Sequence, residues 1–480
     1  MDKKEGVFMN SKEFQVNGVT LQCYPLTAAQ RLHNYTLKFC PYHQILNIGT
    51  GLYIQMDTDF DLLKEAIYEA YQRFDSMRLR FIKDADDTVY QYLVPFEDRD
   101  IPLVDFSNWT EEDAKNEMIK WTKVPFKRFH SPMNQIVMVK MPNGYNGIYM
   151  KADHMTMDSS SVIAFYKDVL ELYCSKKYDY PAPKPMRSYI EALEHDLAYE
   201  NNSAAKKRDT EYWTNFVEDP NEPIYTDFNG MGRLITQRRE SNNPDLRSAV
   251  VITLNPEASI SVYQLEKEPS ERLMQFCEEN KVPMVCLLLM GLRTTLSKFN
   301  NNEEDVSINS CVARRGTLLE KKSGGTRVHF FPVRTIIKPE TTFMEALKII
   351  QEEQNKLFKH ANFDPIQFRG MRTRFRQLRP GASYESISLT YQPLSIRNSD
   401  TGIPDIPYKS DWYTNGVAGQ PLYLTVMHRV EDNGLNFNFE YRKDAVTDYE
   451  MEYLYYYLCR VLFRGIENSN RTVGEILDMI

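Results

Sequence analysis

The chain has 480 residues, of which 42% are hydrophobic and 26% are charged, and its net charge is −8. This length exceeds the size at which a single hydrophobic core usually divides, so it predicts two domains or two lobes. The acidic balance argues against a general nucleic-acid-binding protein, which would carry a basic face.

The cysteines and the apolar runs of the sequence indicate in which cellular compartment the chain is expected. The seven cysteines are scattered and none has Cys-x-x-Cys spacing, which argues against a zinc or thioredoxin-like site. Residues 1–15 lack the apolar core of a signal peptide, and the longest apolar run, 282–292, is too short to span a bilayer. We therefore expect a cytoplasmic chain with reduced thiols, no metal site and no membrane span.

Apolar residues at strand or helix spacing predict the elements of the first part of the chain. The predicted strands cover 46–57, 135–141 and 147–151, and the predicted helices cover 57–74 and 159–174. Residues 178–185 are too rich in proline to be helical. With the polar run 201–207 they make 178–210 the predicted boundary region, and we divide the chain into domains 1–195 and 196–480.

The same alternation continues after the boundary. The predicted helices cover 187–218, 268–279, 283–299, 341–358 and 447–465, and the predicted strands cover 249–254, 305–312, 385–392, 421–430 and 435–441. Because each half mixes strands with helices, the fold class is α/β or α+β in two lobes.

His-x-x-x-Asp spacing occurs three times, and context has to separate the matches. The three pairs are His154/Asp158, His360/Asp364 and His428/Asp432. The third pair brackets a predicted hairpin turn, which favours a surface histidine. The second follows a predicted helix, where a histidine near the negative end of the helix dipole is a common structural choice.

The first pair lies between a predicted buried strand and a predicted helix. His154 can be held rigidly there and still face a cleft, as a general base requires. The helix start offers backbone N–H groups at Ser159 and Ser160 that can stabilise an oxyanion. Asp158 can orient the histidine or brace the loop. A core histidine whose nitrogens are satisfied within the fold is the alternative that local context leaves open.

Short motifs in a fixed order between about 25 and 440 carry a family resemblance. They are residues 25–32 (PLTAAQRL), 73–81 (RFDSMRLRF), 153–159 (DHMTMDS), 305–315 (DVSINSCVARR), 325–334 (GTRVHFFPVR) and 360–363 (HANF). As an ordered set they resemble the motifs of the condensation domains of nonribosomal peptide synthetases. That family belongs to the superfamily of chloramphenicol acetyltransferase and other coenzyme A-dependent acyltransferases.

The resemblance implies two chloramphenicol-acetyltransferase-like lobes in a V-shaped pseudodimer, with the active-site tunnel between them. The second histidine of the family motif is catalytic, and here that position is His154. The motif aspartate, here Asp158, is normally structural and pairs with an arginine from the second lobe. Arg315 is the preferred partner and Arg334 is the alternative. Loss of either member of such a pair is costly, because the other charge is left uncompensated.

Two positions depart from the family motif His-His-x-x-x-Asp-Gly. Asp153 replaces the first histidine, which is generally structural, and Ser159 replaces the glycine. Asp153, Asp158 and Ser161 also coincide with the Asp-x4-Asp-x-x-Ser pattern of heterocyclisation domains, which generally lack the histidine kept here. The replacements motivate a further alternative, a non-catalytic condensation-like binding or scaffold module.

The leading hypothesis is an acyltransferase of the condensation type. His154 would take a proton from an amine or alcohol acceptor, a small molecule, as it attacks an acyl thioester. The thioester would be acyl-coenzyme A or an acyl or peptidyl group on a phosphopantetheinyl carrier protein, and no bound cofactor is implied. Amine and hydroxyl acceptors are not separable from the sequence, because the same base serves both.

Arginines crowd residues 368–380. They are Arg369, Arg372, Arg374, Arg376 and Arg379. Such a run suits the phosphates of coenzyme A or the acidic surface of a carrier protein, and so predicts a donor-binding surface. A solvated loop or helix face is the alternative that the sequence leaves open.

Overall fold

The computed structural model describes residues 11–16, 18–201, 203–393, 408–429 and 432–480. The chain packs into two compact units. The first contains the described residues of Met1–Lys207, Ala313–Val328 and Ser395–Asn415, and the second those of Arg208–Val312, His329–Leu394 and Gly416–Ile480. The described residues of 196–207 therefore pack with the first unit, and so do those of two segments that come much later in the chain. The domain boundary at 195/196 stays a prediction.

The described residues form both strands and helices, numbered here in chain order. The strands are β1 (Lys12–Val16), β2 (Val19–Pro25), β3 (Asn47–Gln55), β4 (Leu79–Lys83), β5 (Val89–Leu93), β6 (Leu103–Asp105), β7 (Asn134–Lys140), β8 (Tyr145–Asp153), β9 (Ala249–Val250), β10 (Ala258–Leu265), β11 (Asp305–Val312), β12 (His329–Ile336), β13 (Ala382–Ser383), β14 (Ile387–Gln392), β15 (Tyr408–Tyr413), β16 (Leu422–His428) and β17 (Leu435–Arg442). The helices are α1 (Ala28–Thr36), α2 (Phe60–Arg73), α3 (Glu111–Lys123), α4 (Ser159–Tyr178), α5 (Tyr189–Asn201), α6 (Ser203–Val217), α7 (Gly232–Glu240), α8 (Lys267–Asn280), α9 (Met284–Phe299), α10 (Leu318–Lys322), α11 (Phe343–Lys359), α12 (Pro365–Arg376), α13 (Asp448–Glu467) and α14 (Val473–Asp478).

The first unit is built on a five-stranded sheet of order β15-β3-β8-β7-β6 and a four-stranded sheet of order β1-β2-β5-β4. Strands β3 and β8 run antiparallel, with Asn47 opposite Asp153. From Gly147 to Asp153 every residue of β8 is buried, so this strand is covered on both faces. A Cβ at Gly147 would lie 1.9 Å from the Leu52 carbonyl oxygen, so this close approach of the two strands requires glycine.

The second unit is built on a six-stranded sheet of order β10-β17-β16-β14-β11-β12. Strand β17 alternates buried Leu435, Phe437 and Phe439 with half-buried polar residues, as a strand with one core face does. Helix α9 is buried along most of its length and packs against α11, α13 and β11. The larger of the two apolar clusters described in this unit therefore lies on the helix-covered face of the sheet.

Most predicted elements with a long apolar pattern are confirmed, among them β11, α4, α8, α9, α11 and the hairpin β16–β17. The strand predicted at 249–254 is wrong beyond its first two residues, because only Ala249–Val250 pair with another strand. The helix predicted at 187–218 is observed as α5 and α6 on either side of residue 202, which lies outside the described residues. Strands β10 and β12 and helix α12 were not predicted.

No single helix among the described residues is both long and apolar enough to cross a membrane. Helices α8 and α9 pass the same test only when they are taken together, and they are bent by 111° relative to each other.

Candidate functional site

His154 lies in a tight turn that joins the end of β8 to the start of α4. Its backbone N–H donates to the Leu46 carbonyl at 2.7 Å, and the Asp153 N–H donates to the Met133 carbonyl at 2.9 Å. Thr156 closes the turn, because both its N–H and its hydroxyl donate to the Asp153 carbonyl, each at 2.8 Å. The backbone that carries His154 is therefore fixed by the residues just before β3 and β7 and by bonds within the turn.

The His154 side chain is half-buried. Its Nδ1 atom is buried and has no hydrogen-bond partner of good geometry among the described residues. Burial lowers the pKa of His154 below its ordinary value, although the charge of Asp158, the backbone carbonyl of His154 itself and the charge of Asp153 act in the opposite direction. The neutral imidazole is therefore favoured near neutral pH, which is the form that accepts a proton.

A second histidine, His33 of α1, packs against the first. The centroids of the His33 and His154 rings lie 4.0 Å apart with 27° between the ring planes, so the rings stack. His33 is buried, and its Nε2 lies 3.5 Å from the hydroxyl of Thr326. Burial and the charge of His154 hold the pKa of His33 well below its ordinary value. Sequence reasoning missed His33, although it follows the motif at 25–32 directly.

Asp158 is buried and paired with Arg315. One guanidinium nitrogen, Nη2, lies 2.8 Å and 2.9 Å from the two carboxylate oxygens and also donates to the Gly325 carbonyl at 2.8 Å. The carboxylate accepts further bonds from the N–H groups of Ser161 and Arg327, both at 2.9 Å. Burial alone would raise the pKa of Asp158, but the charge and hydrogen bonds of Arg315 lower it overall.

Arg315 reaches Asp158 along the segment Ala313–Val328, which packs with the first unit. Gly325 helps to shape this segment: its φ is +80°, and a Cβ there would lie 2.5 Å from the ring of Tyr189. Both ends of the ion pair therefore belong to one compact unit. In sequence, Arg315 lies after the boundary predicted at 195/196, whereas Asp158 lies before it. The ion pair between Asp158 and Arg315 therefore joins distant parts of the chain within the first unit.

Arg334, the alternative partner, lies elsewhere. Its Nε and Nη2 atoms donate to the two carboxylate oxygens of Asp305 at 2.8 Å and 2.6 Å, and both residues belong to the second unit. Of the two arginines named from the sequence, the structure therefore pairs Asp158 with Arg315.

Asp153, which replaces the first histidine of the family motif, is fully buried and ion-paired. Nη1 of Arg128 lies 2.6 Å from its Oδ2, and the other carboxylate oxygen accepts from the Met155 N–H at 2.9 Å. The side chain is thus engaged in the turn that holds His154. No sequence signal pointed to Arg128, which lies 25 positions earlier in the chain.

The start of α4 is capped by Asp158, which accepts from the Ser161 N–H. The Ser161 hydroxyl is also engaged, because its oxygen lies 3.1 Å from a carboxylate oxygen of Asp158 and within hydrogen-bond distance of the Gly325 carbonyl. Ser159 and Ser160 are half-buried in the same first turn. Their role as oxyanion donors stays a prediction.

The arginines of 368–380 do not form one surface. Arg372 pairs with buried Glu385, with nitrogen–oxygen distances of 2.7 Å and 3.0 Å, and Arg376 donates to the Asp219 carbonyl. Arg369 and Arg374 are exposed on α12. The side chains of Arg372 and Arg376 are thus engaged within the second unit, and the role of these arginines in donor binding stays a prediction.

The other two His-x-x-x-Asp matches lie in the second unit. His360 caps the C-terminus of α11, bonds Asp209 through Nδ1 at 2.9 Å and stacks on Tyr212. His428 ends β16 and bonds the Tyr391 hydroxyl at 2.7 Å. Both rings are held by structural contacts.

A cavity of about 430 Å³ opens in the first unit at the other end of β3 and β8 from His154. Its lining includes Tyr53, Tyr145, Lys409 and Tyr413. It is separate from the turn that carries His154, so the chemistry predicted for that turn does not use it.

Comparison with known proteins gives a family match over almost the whole chain. The model of the family described as Condensation domain matches residues 20–479. The chain is 23% identical over 458 residues to a plipastatin synthase of Bacillus subtilis (strain 168), covering 95% of this chain and 17% of that protein. It spans less than a fifth of the length of the first curated relatives it matches.

Solved structures match over 94% of the chain. The first condensation domain of the calcium-dependent antibiotic synthetase, in complex with a substrate analogue, matches with a TM-score of 0.76, 17% identity and 98% of its own length covered. A mutant starter condensation domain of rhizomide synthetase, in complex with C8-CoA and Leu-SNAC, matches with a TM-score of 0.76, 17% identity and 96% of its length covered. These likenesses establish the chloramphenicol-acetyltransferase-like fold.

Proposed function

We propose that this chain, which belongs to the condensation-domain family, transfers an acyl group from a thioester to an amine or hydroxyl acceptor. The observation that carries the proposal is the arrangement around His154. A half-buried imidazole, favoured in its neutral form, projects from a turn that backbone bonds and two buried ion pairs hold rigid. A general base needs this combination of a fixed position and a free proton-accepting nitrogen.

In the proposed reaction, Nε2 of His154 takes the proton from the acceptor as its nitrogen or oxygen attacks the thioester carbonyl. Nδ1 is buried, which leaves Nε2 as the nitrogen for this step. Collapse of the tetrahedral intermediate breaks the carbon–sulfur bond, and the proton held by His154 goes to the departing thiolate. The products are an amide or an ester and a free thiol. General base catalysis of this kind contributes about 10²–10⁴-fold.

The oxyanion of the intermediate is proposed to meet the backbone N–H groups at the start of α4, near Ser159 and Ser160. This position combines N–H groups at a helix start with the positive end of the helix dipole. Asp158 itself takes no part in proton transfer in this proposal, because Arg315, Ser161 and Arg327 already occupy its oxygens. Its part is to fix the first turn of α4.

The acyl donor is proposed to be acyl-coenzyme A or an acyl group on a phosphopantetheinyl carrier protein. The family match supports a thioester donor, and the C8-CoA bound to the related starter domain motivates acyl-coenzyme A as the first donor to test. Arg369 and Arg374, exposed on α12, remain the proposed contacts for the negative charge of the donor.

The test is direct. The purified chain is incubated with a panel of acyl-coenzyme A and acyl-carrier-protein donors and with amine and alcohol acceptors, and products are identified by mass spectrometry. An acylated acceptor that appears only with the chain present supports the proposal. Failure of every donor and acceptor pair, with the folded chain still binding donors, favours the scaffold alternative.

The heterocyclisation alternative gives a different product. With a cysteine, serine or threonine acceptor, such an enzyme yields a product that is lighter by one water than the simple amide. The Asp153, Asp158 and Ser161 pattern motivates this outcome. Against it, the side chains of Asp153 and Ser161 are occupied by Arg128 and by the Gly325 carbonyl.

A further inference from the structure

The stacked pair of histidines suggests a role for α1 in the proposed reaction. We propose that His33 is a positioning residue: its buried ring sets the plane of the His154 imidazole and shields one of its faces from water. The inference rests on the proposed function of His154. It stands on the geometry of the stack, in which the ring centroids are 4.0 Å apart.

Helix α1 is anchored firmly enough for this role. Its N-terminus has a reciprocal capping box between Thr27 and Gln30, and the buried amide of Gln30 bonds the side chain of Gln91 at 2.7 Å. The same amide donates to the Met155 carbonyl at 3.1 Å. Gln30 and His33, three positions apart, lie on one face of the helix. That face therefore contacts two successive residues of the turn, Met155 through its carbonyl and His154 through its ring.

No hydrogen bond of good geometry sets the orientation of the His154 ring through Nδ1. A general-base histidine is usually oriented by a partner at its other ring nitrogen. Here Nδ1 has no such partner among the described residues. The two nearby carboxylates are occupied elsewhere, Asp158 by Arg315 and Asp153 by Arg128. Among the described contacts, the stack on His33 is therefore the one that we assign to orient the plane of the His154 ring.

The charges around the pair decide which ring carries a proton. Asp158 and Asp153 face His154 and favour its protonated form, and their own partners are Arg315 and Arg128. His33 is buried and faces Thr326 and His154. Two imidazolium ions in contact would repel each other. At most one of the two rings is therefore an imidazolium at a time, and that ring is His154. His33 stays neutral, so it acts by packing its ring against His154.

Two substitutions separate shape from titration. His33→Phe keeps a flat buried ring, whereas His33→Ala removes the ring and admits water beside His154. We expect His33→Phe to keep kcat within about threefold, and His33→Ala to lower it by about 10–100-fold with KM nearly unchanged, since a misplacement of about 1 Å can cost 10²-fold. His360→Phe, in an equivalent stack on Tyr212 in the second unit, is the matched control and keeps the wild-type kcat.

The closing experiment needs no substrate, so it is independent of the proposed acyl transfer. The ring signals of ¹³C-labelled histidine are titrated by NMR in the wild-type chain, His33→Phe and His33→Ala, with His154→Asn used to assign the His154 signal. We expect His154 to titrate below about 6.5 in the wild-type chain and in His33→Phe, and closer to that ordinary value in His33→Ala. An unchanged titration in a folded His33→Ala chain would overturn the proposal. In the separate kinetic test, a loss of kcat in His33→Phe equal to that in His33→Ala would also overturn it.

Discussion

Nη2 of Arg315 lies 2.8 Å and 2.9 Å from the two carboxylate oxygens of Asp158, and both side chains are almost fully buried. The pair ties the first turn of α4 to the segment Ala313–Val328, more than 150 positions away in the chain. Since this first turn of α4 follows His154 in the chain, the ion pair helps to hold the candidate base in place.

We predict that Asp158→Asn lowers the free energy of unfolding by about 3–5 kcal/mol, because Arg315 is left buried without a counter-charge. Urea unfolding followed by circular dichroism measures the change. The pKa of Asp158 is lowered in the folded chain, so its contribution to stability is present above its unfolded value of about 3.9 and is lost as pH falls through its folded value.

The matched control for this prediction is Glu271→Gln. Glu271 lies 3.8 Å from Lys267 in an ion pair whose two side chains are more than half exposed. Exposed pairs of this kind contribute about 0–1 kcal/mol. Equal losses in the two variants would contradict the bracing role given to Asp158.

The pH dependence of the reaction tests the state of His154. Burial lowers the pKa of His154, and only its neutral form accepts a proton, so activity is lost as pH falls through that lowered value. We predict that the acid limb of kcat/KM lies below the ordinary histidine pKa of about 6.5. Circular dichroism at each pH separates this effect from unfolding. An acid limb well above 6.5 would contradict a buried, neutral base.

The exposed arginines of α12 give a kinetic prediction. Charge reversal of both, Arg369→Glu with Arg374→Glu, is expected to raise the KM of the acyl donor several-fold with little change in kcat, because the donor carries negative charge. Steady-state kinetics at varied donor concentration measure this. A donor KM equal to that of the wild-type chain would leave these side chains as a solvated helix face.

Arg372 provides the contrast on the same helix. It pairs with Glu385, whose side chain is buried and whose pKa is lowered by Arg372 against the effect of burial. Arg372→Glu is therefore expected to destabilise the second unit rather than to change the donor KM selectively. A stable Arg372→Glu chain with a raised donor KM would contradict this and would place Arg372 in the donor-binding surface.

Local signals in the sequence located much of the candidate site. The apolar run before His154 predicted a buried strand, and the serines after Asp158 predicted a helix start, because strand burial and helix capping depend on residues a few positions away. For the same reason the bounds of β11 agree with the predicted 305–312.

The partners of these residues are set by tertiary packing, and the sequence did not reveal them. His33 lies 121 positions before His154, and Arg128 compensates Asp153 only because β8 and the segment before β7 pack together. Likewise, five arginines in a short run do not indicate that Arg372 meets Glu385 across the fold. Residue types suggested the chemistry, but only packing decides which charges are already paired.

The role of His154 is tested most directly by the rate of product formation by His154→Ala, with the donor and acceptor pair that the wild-type chain uses. We predict a loss of at least about 100-fold, with the circular dichroism spectrum unchanged. His428→Ala, which alters another His-x-x-x-Asp match at the end of β16, is predicted to keep the wild-type rate. Wild-type turnover by a folded His154→Ala chain would contradict the assignment of His154 as the base.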